Sequence, residues 1–182
     1  MNWLLHAFII FALAIHVIPP GLHLNVDSNK VQAILATAIV AALQMLMFGF
    51  GKMIGGTFLH LVEGMKTGIL FFTFFLVSVR MAMEAFKIRK GEVVMRLDNA
   101  KLMVLTGVAQ GIDAFLVGMM FYFLPEVKFE TSLIALFFLA SFLMLSTIYT
   151  KEKKSTYAFG SLLYILGSLI FIFSALYFLF IV

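Results

Sequence analysis

Long apolar runs separated by short polar connections leave this chain few ways to fold. Six of them run from about Trp3 to Ile18, Val31 to Phe50 (or on to Ile54), Thr67 to Phe86, Leu102 to Leu124, Thr131 to Tyr149 and Tyr157 to Val182. A helix crosses a bilayer with roughly 20 apolar residues. The runs are continuous and do not alternate with period two, which selects helices over barrel strands. In lipid, every backbone polar group must be satisfied within the protein. Only 12% of the 182 residues are charged, against about 25% in a soluble domain. The expected fold is an all-α membrane protein in a lipid bilayer, with six transmembrane helices in a single domain over residues 1–182. The first run stops at Pro19-Pro20-Gly21. The Pro pair is expected to break or bend it, because Pro lacks an N–H and clashes with the preceding turn. No basic residue precedes this run, so it reads as a true span and not as a cleaved signal peptide.

The connections set the orientation. Those after the first, third and fifth runs hold nine basic residues: Lys30; Lys87, Arg89, Lys90, Arg96 and Lys101; Lys151, Lys153 and Lys154. Those after the second and fourth hold three: Lys52, Lys66 and Lys128. The positive-inside rule then puts the first group in the cytoplasm and both termini outside it. The longest hydrophilic stretch, Lys87 to Lys101, leaves no room for a soluble domain, so function must reside in the bundle. Basic residues lie between spans rather than on one soluble face, which argues against nucleic acid as a partner. The chain has no Cys, so disulfides and thiolate metal sites are excluded. Nothing selects two His at one depth for haem, and no cofactor is expected. An enzyme is not expected either: there is no HExxH, no Ser/His/Asp set within the runs and no paired membrane carboxylates.

One acid stands out against this background. Asp113 lies eleven residues from either end of the fourth run. A charge at bilayer centre costs about 3 kcal/mol on insertion scales, so Asp113 must be protonated, paired or turned to a polar cavity. Gly107, Gly111 and Gly118 let neighbouring helices approach it closely. Helical spacing puts Thr106, Gln110, Val117 and Met120 on its face, and the second run offers a similar stripe of Thr37, Ala41 and Gln44. Asp113, Gln110, Thr106 and Gln44 are therefore candidates to line a narrow substrate path. The Gln and Thr residues have a plainer reading as interhelical hydrogen-bonding groups. His16 is the fifth candidate, either as a proton carrier or ligand, or as a neutral ring satisfied by one carbonyl. His6, His23 and His60 lie near run ends or in connections and read as interfacial. Arg80 and Glu84, one turn apart near the cytoplasmic end of the third run, read as a local ion pair or a snorkelling Arg, with a cytoplasmic gate as the alternative.

The first and fourth runs resemble each other weakly. Ala12, Ile15, His16 and Gly21 fall opposite Ala109, Ile112, Asp113 and Gly118 without a gap. Halves of about 1–90 and 91–182 would each hold three helices and so face opposite ways across the membrane. Inverted repeats of this kind are common in secondary transporters, with the site near the midplane between them. His16 and Asp113 would be its paired polar residues, and the Pro19-Pro20 break would expose backbone carbonyls beside the same cavity.

The stretch Ile112-Asp113-Ala114-x-x-Val117-Gly118 resembles the second-half motif of the putative manganese efflux pump family (MntP), six-helix inner-membrane proteins of about this length. Arg80-Met81-x-x-Glu84-x-Phe86 is similar to the end of that family's third helix, and Gly49, Gly51 and Gly55 to its Gly-rich second helix. The resemblance implies cation efflux from a bacterial inner membrane, with Asp113 as the metal ligand and manganese as substrate rather than resident cofactor. The family has a further acid in its first helix, where this chain has His16 (or Ala14, by another gap). It has an acid and a Pro in the second, where Ala42 and Leu46 stand near Gln44. Manganese favours several hard oxygen ligands, while a proton or monovalent cation suits one carboxylate. The alternatives are thus transport of a proton or monovalent cation, or a non-transporting membrane protein of the same fold with a structural or regulatory role. Six short helices enclose little cavity, and a homodimer would enlarge it, with the GxxxG of Gly51 and Gly55 as one candidate surface.

Overall fold

A computed structural model describes residues 3–24, 30–92, 97, 99–124, 129–150 and 153–181. Among them all regular structure is helical. Arg96, Pro125, Lys128, Lys151 and Val182, used above for connection charges and run ends, lie outside the described residues.

Helix α1 (Trp3–Ala14) passes through a 3-10 turn (Ile15–Val17) into α2 (Ile18–His23). The Pro pair therefore does not end the first span. It occupies the first turn of α2, where the N–H groups have no intrahelical acceptor to lose. The disruption falls one turn earlier, as the tightened segment Ile15–Val17. Trp3–Leu22 is long and apolar enough to cross a membrane as a unit.

Helix α3 (Lys30–Phe58) joins α4 (Lys66–Lys90) through the 3-10 stretch Leu59–Met65, where Val62 leaves helical geometry at φ −122°, ψ 26°. The chain continues with α5 (Ala100–Met120), extended by a 3-10 turn over Phe121–Phe123, then α6 (Phe129–Tyr149) and α7 (Lys153–Ile181). Counted as uninterrupted helical stretches, five are long and apolar enough to span, with α3 and α4 in one of them. Gly91, at φ 69°, ends α4. The N–H groups of Gly91 and Glu92 bond the carbonyls of Ile88 and Lys87 at 3.0 Å. Lys87, Arg89 and Lys90 then sit at the negative end of the helix dipole. Asn99 caps α5, its Oδ1 accepting from the Leu102 N–H at 3.0 Å.

Two helix pairs organise the bundle: α3 lies along α5, and α4 along α7. Helix α6 covers α3 and the α1–α2 span. Small residues bring the backbones of α3 and α5 together. A Cβ at Gly51 would collide with the Phe115 carbonyl, and one at Gly118 with the Phe48 carbonyl. This corrects the reading of Gly51 and Gly55 as a surface for a second copy. Both are buried against Phe115 and Met119 of the same chain. The α4–α7 seam is tied by Ser78, which donates to the Ser168 carbonyl at 2.8 Å, and by Ser161, which donates to the Ala85 carbonyl at 2.9 Å. Phe48, Phe74, Phe171 and Phe178 fill the interior, while Phe72, Phe138, Phe142 and Phe180 face outward.

Candidate functional site

The Pro pair frees a carbonyl in mid-span. Pro19 and Pro20, three and four residues on, have no N–H to offer the His16 carbonyl. The Tyr164 hydroxyl of α7 donates to it at 3.2 Å, and Gln44 Nε2 of α3 donates to the Leu13 carbonyl one turn earlier at 2.5 Å. The carbonyls expected beside the cavity are thus bonded within the protein.

The 3-10 turn of Ile15–Val17 aims the His16 ring across the bundle. Its Nδ1 donates back to the Leu13 carbonyl at 3.1 Å, and its Nε2 lies 2.7 Å from Asp113 Oδ2 of α5. A carbonyl only accepts, so Nδ1 carries a hydrogen. A single further proton then lies between Nε2 and Oδ2. It makes either an imidazolium facing a carboxylate or a neutral imidazole facing a protonated acid. Both residues are buried, His16 at 0% and Asp113 at 1% exposure. In so low a dielectric the pair interacts far more strongly than it would in water.

The second oxygen of Asp113 has its own partner. Arg80 Nη1 of α4 donates to Oδ1 at 2.8 Å, and Nη2 to the Ala109 carbonyl at 3.4 Å. Arg80 Nε stands 3.6 Å from Glu84 Oε1, one turn along the same helix. The Tyr164 hydroxyl lies in the field of both Glu84 and Asp113. Four helical segments therefore converge on one set of ionisable groups: His16, Asp113, Arg80 and Glu84, with Tyr164 beside them.

The sequence candidates divide unevenly over this set. His16 and Asp113 meet directly, and Gln44 joins through the Leu13 carbonyl it shares with His16. Gln110 is buried on the face of Asp113, one turn before it. Thr106 is only partly buried and lies two turns from Asp113, about 10 Å along the axis. Thr37 bonds the Ala33 carbonyl of its own helix at 2.8 Å, the plain reading of that residue. His6 meets Ser132 Oγ at 2.9 Å and links the start of α1 to α6. Arg80 and Glu84 carry the sequence reading of a local ion pair or a cytoplasmic gate and not of substrate ligands, and Tyr164 carries no reading at all. Arg80 and Glu84 do form the expected i,i+4 pair, but Arg80 also reaches Asp113 and so shares its depth. No three His, Asp or Glu side chains among the described residues converge closely enough to hold a metal ion.

The family model described as putative manganese efflux pump matches residues 27–179. The match takes in α3 to most of α7, with Asp113, Arg80, Glu84 and Tyr164, and begins after the first span and its His16. No curated protein and no solved structure matches the chain.

Proposed function

Since the chain belongs to the putative manganese efflux pump family, we propose that it exports a small cation, manganese by family, across a bacterial inner membrane through the cluster around Asp113. The observation that carries this reading is the buried 2.7 Å contact of Asp113 with His16. A link between two helices needs no ionisable groups, and a mid-membrane acid is costly to keep. Here an acid, a His, an Arg and a second acid form a connected set. With Arg80, Asp113 and Glu84 ionised, the set carries one net negative charge, and a proton on His16 brings it to zero. A cation reaching Asp113 adds positive charge and favours departure of that proton. Cation movement outward is thereby coupled to proton movement inward. Asp113 supplies the charged ligand, and Gln110 and Gln44 supply amide oxygens, hard donors that suit manganese. Gln44 Oε1 is buried with no hydrogen-bond partner.

The same reading takes the chain across the membrane six times. Lys30–Lys90 as one straight helix would be about 92 Å long, roughly three times the hydrocarbon thickness. The chain must turn back, and Val62 is where its helical geometry lapses. Two inverted halves, 1–90 and 91–182, agree with the pairings at the site. His16 and Asp113, 97 positions apart, bond to each other. Gly21 and Gly118, equally spaced, each press on the middle helix of the other half: Gly21 on Thr147 and Met144 of α6, Gly118 on Phe48 of α3. The basic residues put the Lys87–Lys101 connection in the cytoplasm and both termini outside.

The second reading is a non-transporting bundle of the same fold, favoured by one fact: both oxygens of Asp113 already have partners. Everted membrane vesicles separate the two, since export appears there as uptake. Manganese uptake driven by an acid interior, and lost when the gradient is collapsed, is the expected result. Well-inserted protein that takes up neither manganese nor a monovalent cation would favour the non-transporting reading.

A further inference from the structure

Arg80 carries the wrong charge for a cation's path, yet it sits on the acid that the proposed path requires. Its hold there is partial. One guanidinium nitrogen, Nη1, bonds Asp113 at 2.8 Å, and no second nitrogen forks onto the same carboxylate. A bidentate pair is the stronger arrangement. On the other side stands Glu84, 3.6 Å from Nε. The Tyr164 hydroxyl lies beside the same Glu84 carboxylate. The Arg80 side chain is 35% exposed, while that of Asp113 is 2% exposed. The guanidinium thus has one close perch on Asp113 and a second, looser one on Glu84, between which it is already shared. Helix α4 meets α5 over a short stretch only, so the turn needs rotation of a side chain and no displacement of a packed helix.

We propose that Arg80 is a tethered stand-in for the transported cation: it neutralises Asp113 when the carrier is empty and moves onto Glu84 when a cation binds. This rests on the reading of Asp113 as the cation's ligand. It resolves a difficulty in that reading, because a cation cannot settle on Asp113 while a guanidinium holds it. It also gives the empty carrier a way home. A bare carboxylate carried through the low-dielectric midplane is expensive, and a resident cation removes that barrier. Export then proceeds without a second metal ion making the return journey. Arg80 on this account is a positioning residue that sets which step of the cycle is free to run.

The test uses the full chain in proteoliposomes loaded with radioactive manganese. Net efflux into manganese-free buffer requires the empty carrier to return. Exchange against external unlabelled manganese does not. In Arg80→Gln the ratio of exchange to net efflux should rise at least about ten-fold over wild type, the equivalent of a barrier raised by roughly 1.4 kcal/mol. Arg80→Lys, which keeps a tethered charge, should bring the ratio back toward wild type. Equal loss of both fluxes in Arg80→Gln, or no change in either, overturns the proposal and leaves Arg80 a structural partner. Should Arg80→Gln fail to insert, Glu84→Gln carries the test. With the second perch gone, the KM for manganese in exchange should rise about ten-fold, as for one lost charge-assisted hydrogen bond, and an unchanged KM overturns the proposal. Wild-type protein silent in both assays overturns the manganese reading itself, and is told apart from failure of the Arg80 role by that silence.

Discussion

Asp113 is held by two donors of different character. Arg80 is permanently charged, whereas the His16 imidazole can gain or lose a proton. Of the two, only the His16 side of the carboxylate can exchange a proton. The replacement His16→Gln keeps an N–H to bond Asp113 but takes up no proton. It should leave the protein inserted and flatten the pH dependence of export, measured as manganese flux in vesicles buffered at a series of pH values. A pH profile matching wild type would remove His16 from the coupling. The two residues at the centre of the site were readable from sequence because each is anomalous where it stands. A mid-run acid is costly wherever its neighbours lie, and His16 falls opposite it when the first and fourth runs are laid side by side. Arg80 was not readable, for a reason of length. With the third span ended at Phe86, Arg80 lies six residues in, within reach of a snorkelling side chain. The helix in fact runs four residues further, through Lys87 to Lys90, and Arg80 bonds a residue at mid-span. Polar residues at a span's end do not stop the helix, so composition understated its depth. Tyr164 had no signal at all, since its partner is a backbone carbonyl freed by a Pro in another span.

At the scale of elements, two local rules competed at Pro19-Pro20 and the milder one prevailed. Pro is disruptive inside a helix and acceptable in its first turn. The chain satisfies both by starting a new turn at Ile18, and the Leu13 carbonyl one turn before His16 holds the His16 ring in place. The Gly residues around Asp113 behave as their spacing suggested, with close backbone contact between α3 and α5. The partner of Gly51 and Gly55 was misread, because a GxxxG motif specifies a close neighbour without saying whether it belongs to the same chain. Gly118→Leu should therefore split the α3–α5 pair and lower stability by about 1–3 kcal/mol or more, as overpacking does. Gly56→Leu is the control, since nothing lies within 4 Å of a Cβ there. Unfolding of the purified proteins in mixed micelles reads the difference. Equal stability of the two variants would mean that the α3–α5 contact is not as close as described.

At the scale of the molecule, the account needs the chain to cross six times and to face the membrane as its basic residues direct. The absence of Cys makes this accessible, because single introduced thiols can be labelled without background. A Cys at Val62 should react with an impermeant reagent from outside the cell, and one at Gly91 only from the cytoplasmic face. Labelling of both from one side would contradict the turn at Val62. The all-helical character of the chain and the presence of helices long and apolar enough to cross a membrane were legible from apolar length alone. How they pair was not, because the helix faces differ little in polarity and the contacts are set by small residues and a few hydrogen bonds. The central claim, that Asp113 is the working residue of a cation exporter, is tested most directly in a host lacking its own manganese exporter, by measuring cellular manganese with and without this chain. The account predicts that the wild-type chain lowers cellular manganese and restores growth in excess manganese, and that Asp113→Asn, inserted to the same level, does neither. An Asp113→Asn protein as effective as wild type would contradict it.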